Sequence, residues 1–292
     1  MSVPSVARSA IVLAVAAMTM TMAGCSSTKD AATTVPSAAV RTSSAVAAPN
    51  LATVTPGKLT ISTGEPGYEP WIVGDAPQSG EGFESAVAYA VAAQLGYAPA
   101  DVVWTRSTFD SAIAPGPKDW DFNLQQFSIT DERKAAVDFS SPYYTTSQAV
   151  ITVKGTPAAT ATSIAALKSV TLGVATGTTS YTIAAAQLGD GHLQVFNTVD
   201  DAVLALKTVQ VDGIVVDLPS AFYLTGVELD GGLIVGQFAD ATGGDNFGLV
   251  LQKDSALTAP VTAAVDALRA DGTLATLEQK WLSEAVSVPV LK

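Results

Sequence analysis

Cysteine and histidine each occur once in the 292 residues, and Lys and Arg are few, 15 against 27 Asp and Glu, for a formal net charge of −12. One Cys excludes a disulfide framework, and one Cys with one His excludes the usual zinc ligand sets, so neither metal nor cofactor is expected. Too few clustered basic residues are present to neutralise phosphates, which argues against nucleic acid as a partner. Long apolar runs are also scarce for a chain whose mean hydropathy is +0.33. Only residues 9–24 form one without a charge. The length bounds the chain at one large or two ordinary domains.

That run follows Arg8, contains Ile11, Val12, Leu13 and Val15, and ends in Ala23 and Gly24 directly before Cys25. Its sixteen residues fall short of the ~20 that span a bilayer, whereas a basic start and a short apolar core read as an export signal over 1–24. Met22-Ala23-Gly24-Cys25 resembles a bacterial lipobox, with Met where Leu is more usual. The resemblance implies cleavage before Cys25 and lipidation of its sulfur, anchoring the chain to the outer face of the cell membrane. The other reading, a free Cys in a core, is disfavoured because the residues after it are a polar linker. Cleavage removes Arg8 and no acid, so the mature surface repels anionic lipid, and attachment rests on acyl chains at roughly 0.8 kcal/mol per buried CH2. Residues 25–56, almost entirely Ala, Ser, Thr, Val and Pro after Cys25, read as a disordered tether, since they bury too little to offset their ordering entropy.

From Gly57 onward strand-like and helix-like segments alternate, which predicts an α/β fold with largely parallel sheets. Leu59-Thr60-Ile61-Ser62 alternates as a strand. Residues 84–95 place Val87, Ala90, Val91 and Leu95 on one helical face before Gly96. Strands are expected at 102–104 and 120–124, with a short helix between them at 109–113 and an extended run at 147–154. A second unit opens after Gly155. It has a short helix at 163–167, strands at 170–174, 193–196, 213–217 and 233–238, and helices at 181–188 and 199–206, the latter capped by Thr198. An extended segment at 247–251 and helices at 257–268 and 274–281 complete the chain. Two α/β units joined by extended segments invite a ligand cleft between them, at the carboxyl ends of the strands.

Ser128-Ile129-Thr130-Asp131-Glu132-Arg133 carries the strongest chemical signal. Thr130 is placed to cap a helix whose first turn holds two acids, and Arg133 offers a planar fork for a carboxylate. For a lone Arg, a surface helix pair is the competing reading. With Glu65-Pro66-Gly67-Tyr68-Glu69-Pro70-Trp71, Gly82-Phe83-Glu84, Asp138-Phe139-Ser140-Ser141-Pro142-Tyr143-Tyr144, Gly177-Thr178-Thr179-Ser180 and Asp212-Gly213-Ile214-Val215-Val216-Asp217, the chain resembles the extracellular solute-binding proteins of family 3, the polar amino acid receptors of ABC importers. The agreement in order and spacing runs over roughly 57–284.

The resemblance implies a two-lobe, periplasmic-binding-protein-like type II fold with two crossing hinge strands and closure around the ligand. Lobe 1 would comprise 57–149 and 247–292, lobe 2 155–240, and the hinge 149–154 and 244–251. It further implies that Arg133, Ser128 and Thr178 with Thr179 meet the ligand's carboxylate, and a helix opening at those threonines would favour an anion independently. Asp217, with Ser128 and the backbone near Gln126, would meet the ammonium; Asp217 could instead cap the next helix. Tyr68 and Phe109 match aromatic positions flanking the bound side chain, though either could be core. Glu65 matches an acidic position near that side chain or is a solvated turn residue. Gln125 and Gln126 depart from the small residues usual before the Ser-Ile-Thr motif, so they bear on which ligand fits. His192 reads as surface, and Trp71, Trp104, Trp120 and Trp281 as packing, with Trp71 near the cleft.

Three functions compete: a receptor delivering an amino acid to a membrane permease, a dehydratase on the same fold acting on prephenate- or arogenate-like substrates, and a ligand sensor using the same pocket. A dehydratase needs a carboxylic acid at the leaving hydroxyl, and Glu65 and Asp217 are placed instead to pair with a cation. Binding is therefore favoured over catalysis. The acids facing Arg133 and Arg106 favour a neutral polar or cationic amino acid over glutamate or aspartate, and a monomer is expected.

Overall fold

The computed structural model describes residues 51–239, 244–282 and 288–292, and the leader, Cys25 and the tether up to 50 lie outside them. Residues 51–56 do not float free of the domain as expected. Leu51 packs against the first core, and the Val54 N–H donates to Asp121 Oδ1 at 2.8 Å.

Two mixed sheets make the two lobes. The first has five strands in the order Val102–Arg106, Leu59–Thr63, Phe122–Asn123, Val250–Gln252 and Val137–Phe139. Its first three strands are parallel, and Val250–Gln252 runs against its neighbours. Leu59–Thr63 is buried at every position despite its alternating sequence. The Thr60 N–H donates to Asp121 Oδ2 at 2.7 Å and Ser62 Oγ lies 3.1 Å from Ser107 Oγ, while the buried Thr60 hydroxyl has no partner among the described residues. The helix Phe83–Gln94 packs with Thr258–Ala270 and Thr273–Leu282, so the late helices return to the first lobe as expected.

The second sheet orders its six strands Val290–Leu291, Gly232–Phe238, Gln148–Val153, Gly213–Asp217, Leu172–Ala175 and Leu193–Phe196. Two boundaries differ from expectation. Gln148–Val153, expected at the hinge, is a central strand bonded on both edges, and its apolar residues are committed to the second core. The joining pair is antiparallel: Tyr144–Thr146, which starts five residues upstream of the first expected hinge segment, with Asp245–Phe247, which lies inside the second. The C-terminal residues, expected in lobe 1, add an edge strand to lobe 2: Leu291 pairs with Phe238 and is 3 % exposed, lying where a side chain at Gly236 would stand.

The caps read from sequence at Thr130 and Thr198 are present, and three more helices are capped in the same way. Thr108, Thr130, Ser163, Thr178 and Thr198 each accept from the backbone N–H three residues on, closing one orphan donor per helix. Among the described residues no helix is long and apolar enough to cross a membrane.

Candidate functional site

A cavity of about 750 Å³ lies between the lobes, and all nine expected ligand residues line it: Glu65, Tyr68, Phe109, Gln126, Ser128, Arg133, Thr178, Thr179 and Asp217. The lobes also touch across it. Tyr68 Oη donates to Asp200 at 3.0 Å, Trp71 Nε1 to Ser220 Oγ at 3.0 Å, and Ser128 Oγ lies 3.1 Å from Thr179 Oγ1. Trp71 is thus packing and tie at once. Its ring is fully buried against Phe83, Tyr144 and Phe247, while its N–H reaches the other lobe.

Arg133 sits on the capped helix Asp131–Ala136 and is 8 % exposed. Its guanidinium donates to the Ser128 carbonyl at 2.8 Å and the Gly177 carbonyl at 2.9 Å, spanning both lobes, and stacks 5.2 Å from the centre of the Phe109 ring. Two of five N–H donors are used, which leaves three for an anion. Burial lowers its pKa, and Asp245 and Asp217 oppose that. Gly177 has φ +69°, the left-handed turn that presents its carbonyl to Arg133 ahead of the helix Thr179–Leu188. The Thr178 hydroxyl is already engaged, accepting from the Tyr181 N–H at 3.2 Å and donating to the Ala175 carbonyl at 2.7 Å. The N–H groups of Thr179 and Ser180 meet no acceptor among the described residues, so this helix start offers an anion its backbone rather than its cap.

Asp217 ends the strand Gly213–Asp217 and occupies the cap position of the helix Leu218–Tyr223, yet its side chain caps nothing. Instead Gln148 Nε2 donates to its Oδ1 at 2.5 Å and to Asp245 Oδ2 at 2.9 Å. Burial, and then Asp245, push the Asp217 pKa up to about 8. A ligand cation would restore the charged form.

Gly82-Phe83-Glu84 has a geometric origin. Gly82 has φ +100°, and a Cβ there would stand 2.4 Å from the Trp71 carbonyl, so only glycine lets this helix start tuck under that loop. The tuck buries Glu84 completely. Its Oε1 accepts from the Gln126 N–H at 2.7 Å and from Tyr143 Oη, and burial raises its pKa to about 7. Gln126 adopts φ +51°, a conformation that costs a non-glycine residue about 1 kcal/mol or more, and Glu84 holds it there through both backbone and side chain. Gln125 also lines the cavity, and its Nε2 donates to Asn123 Oδ1 at 3.0 Å.

Besides Asp217, the wall of the cavity carries Glu65, Glu69, Asp75, Asp110, Asp200 and Glu228. Arg106 pairs with Asp75 at 2.7 Å and Lys207 with Glu228 at 3.2 Å; among the described residues the other four acids have no basic partner. Among the described residues Arg133 is the one base on the wall.

The sequence profile of the bacterial extracellular solute-binding proteins, family 3, matches residues 60–284. This chain belongs to that family. An L-arginine-binding protein of Pseudomonas aeruginosa is 32 % identical over 188 residues, 62 % of this chain and 72 % of that one. A solved ancestral arginine-binding protein bound to glutamine is 27 % identical, with a TM-score of 0.65 covering 79 % of this chain and all of that one. A Salmonella typhimurium periplasmic binding protein of high arginine specificity is 26 % identical, with a TM-score of 0.64 covering 77 % of this chain and 99 % of that one. These relatives are described as binding proteins, and the shared architecture is the two-lobe type II fold.

This solute-binding protein also has residues behind the cleft wall that its sequence did not flag. Gln148 and Asp245 meet Asp217 only through strand pairing. The one local sign was a polar residue opening the apolar run 148–153.

Proposed function

We propose that this protein captures a cationic amino acid outside the cell and presents it to the permease of an ABC importer. Arg133, the Ser128 hydroxyl and the N–H groups of Thr179 and Ser180 take the α-carboxylate. Asp217 takes the α-ammonium, with Gln126 bounding that end. The side chain runs past Tyr68 and Phe109 toward Glu65, Asp110 and Asp200. The observation that carries this reading is the charge of the wall among the described residues: one base, Arg133, against Asp217 and six further acids, four of the six without a basic partner. A second carboxylate on the ligand would face those acids, whereas a guanidinium or ammonium would be drawn to them. The arginine-binding relatives support the same class.

The strands Tyr144–Thr146 and Asp245–Phe247 serve as the hinge. Lipidated Cys25 holds a monomeric receptor on the membrane's outer face, and Cys25→Ser should release the protein into the medium. A thermal-shift screen of the amino acids tests the ligand class. L-arginine, L-lysine or L-histidine should raise Tm by several degrees at a hundredfold excess over Kd, and L-glutamate should not. Preferential stabilisation by L-glutamate would overturn the assignment.

A further inference from the structure

Asp217 does not meet the cleft alone. Asp245, on the joining strand Asp245–Phe247, does not line the cavity, yet it shares the Gln148 side-chain amide with Asp217. That amide spends one N–H on each carboxylate, at 2.5 and 2.9 Å, and its carbonyl is held by Ser180 Oγ at 2.6 Å, so it cannot turn away from either acid. Asp245 receives a further hydrogen bond from Thr179 Oγ1 at 2.6 Å, a second donor that Asp217 lacks. Glu84 with Tyr143, Tyr144 and Arg133 are the other titratable groups that bear on Asp217. Of these only Arg133 is a cation, and it is already donating to two carbonyls.

We propose that Asp245 is a positioning residue that acts on the ligand through Asp217: two carboxylates on one amide keep a proton on Asp217, and a bound amine displaces it. Binding then breaks the Asp217 O–H bond, sends the proton to water and leaves the carboxylate paired with the ammonium. The inference rests on the amino-acid reading above for its ligand and on the Gln148 geometry for its mechanism. A residue that touched the amine directly would behave in the opposite way when neutralised. Removing the Asp245 charge should ease ionisation of Asp217 and so strengthen binding at low pH, although it removes a negative charge from beside a cation site.

The full-length mature protein and its Asp245→Asn variant, which keeps the acceptor for Thr179 and Gln148, provide the test. Carboxyl-13C NMR of the ligand-free proteins, with the Asp217 signal assigned through Asp217→Asn, should show Asp217 titrating at least one pH unit lower in the variant. Calorimetry with L-arginine as the probe should show wild-type affinity rising severalfold to tenfold between pH 6 and pH 7, with net release of protons at pH 6.5 in buffers of different ionisation enthalpy. The variant should bind more tightly than wild type at pH 6 and release fewer protons. An Asp217 midpoint equal in both proteins overturns the proposal, as does weaker binding by the variant at pH 6. If Asp217 shifts as expected but L-arginine binds neither protein at any pH, the positioning role stands and the cationic amino acid assignment fails.

Discussion

Arg133 and Asp217 are opposite charges on opposite lobes of one cleft, and the protein treats them differently. Arg133 is fixed in place by the protein: two carbonyls accept from it, and an aromatic ring covers it. Asp217 has one amide donor, a second carboxylate beside it and burial that disfavours its charge. The first arrangement holds a cation in place whether or not a ligand is bound, while the second leaves a charge for the ligand to complete. One end of the site is therefore built for rigidity and the other for response. Truncating the two should separate stability from binding.

The largest effect should come from Arg133→Ala. Losing the cation opposite a desolvated carboxylate costs about 3–5 kcal/mol, so L-arginine affinity in calorimetry should fall by a hundredfold or more. Tm should fall as well, because the carbonyls of Ser128 and Gly177 lose their donor across the cleft. Next is the pH dependence of folding. Glu84 binds its proton more tightly folded, with a pKa near 7 against an ordinary 4.5. Its contribution is therefore complete below the ordinary value and is lost as pH rises through 7, on the order of 3 kcal/mol. Urea unfolding between pH 5 and pH 8 should show this decline, and Glu84→Gln should flatten it up to about pH 7. Asp217, whose folded pKa is about 8, should extend the decline in both proteins.

Asp217→Asn should weaken L-arginine binding about thirtyfold, or about 2 kcal/mol, while leaving the Tm of the free protein at neutral pH unchanged or higher, since the neutral amide need not take up a proton on folding. That is the sharpest contrast with Arg133→Ala. A lower Tm for Asp217→Asn would erase the proposed difference between the two ends. Tyr68→Phe should have the smallest effect. It removes one exposed hydrogen bond to Asp200 between the lobes and should change affinity only severalfold, corresponding to about 1 kcal/mol.

The two ends were also unequally legible in the sequence. Around Arg133 the signal is local. Thr130 caps within its own helix, and the Ser-Ile-Thr motif and the Gly177-Thr178-Thr179-Ser180 turn are contiguous strings whose chemistry follows from their order. Asp217 itself was visible as an acid ending an apolar strand, but its partners were not. Gln148 reaches it across antiparallel strands 69 residues apart, and Asp245 lies in the expected hinge segment 244–251, where nothing local pairs it with Asp217. The same non-local pairing moved the hinge. Residues 149–154 look extended in any setting, and only neighbours on both edges show them to be sheet interior. Glu84 belongs to a legible motif, but its burial depends on the Trp71 loop folding over Gly82, which spacing does not reveal.

The central claim is that a zwitterionic head group is held between Arg133 and Asp217 while a cation occupies the acidic end. Calorimetry at pH 7.5 with L-arginine, with agmatine, which lacks the carboxylate, and with 5-guanidinopentanoate, which lacks the α-amine, separates these contributions. Each analogue should bind at least about thirtyfold more weakly than L-arginine, as expected when a buried charge loses its partner. Either analogue binding as tightly as L-arginine would contradict the account at the end it leaves empty.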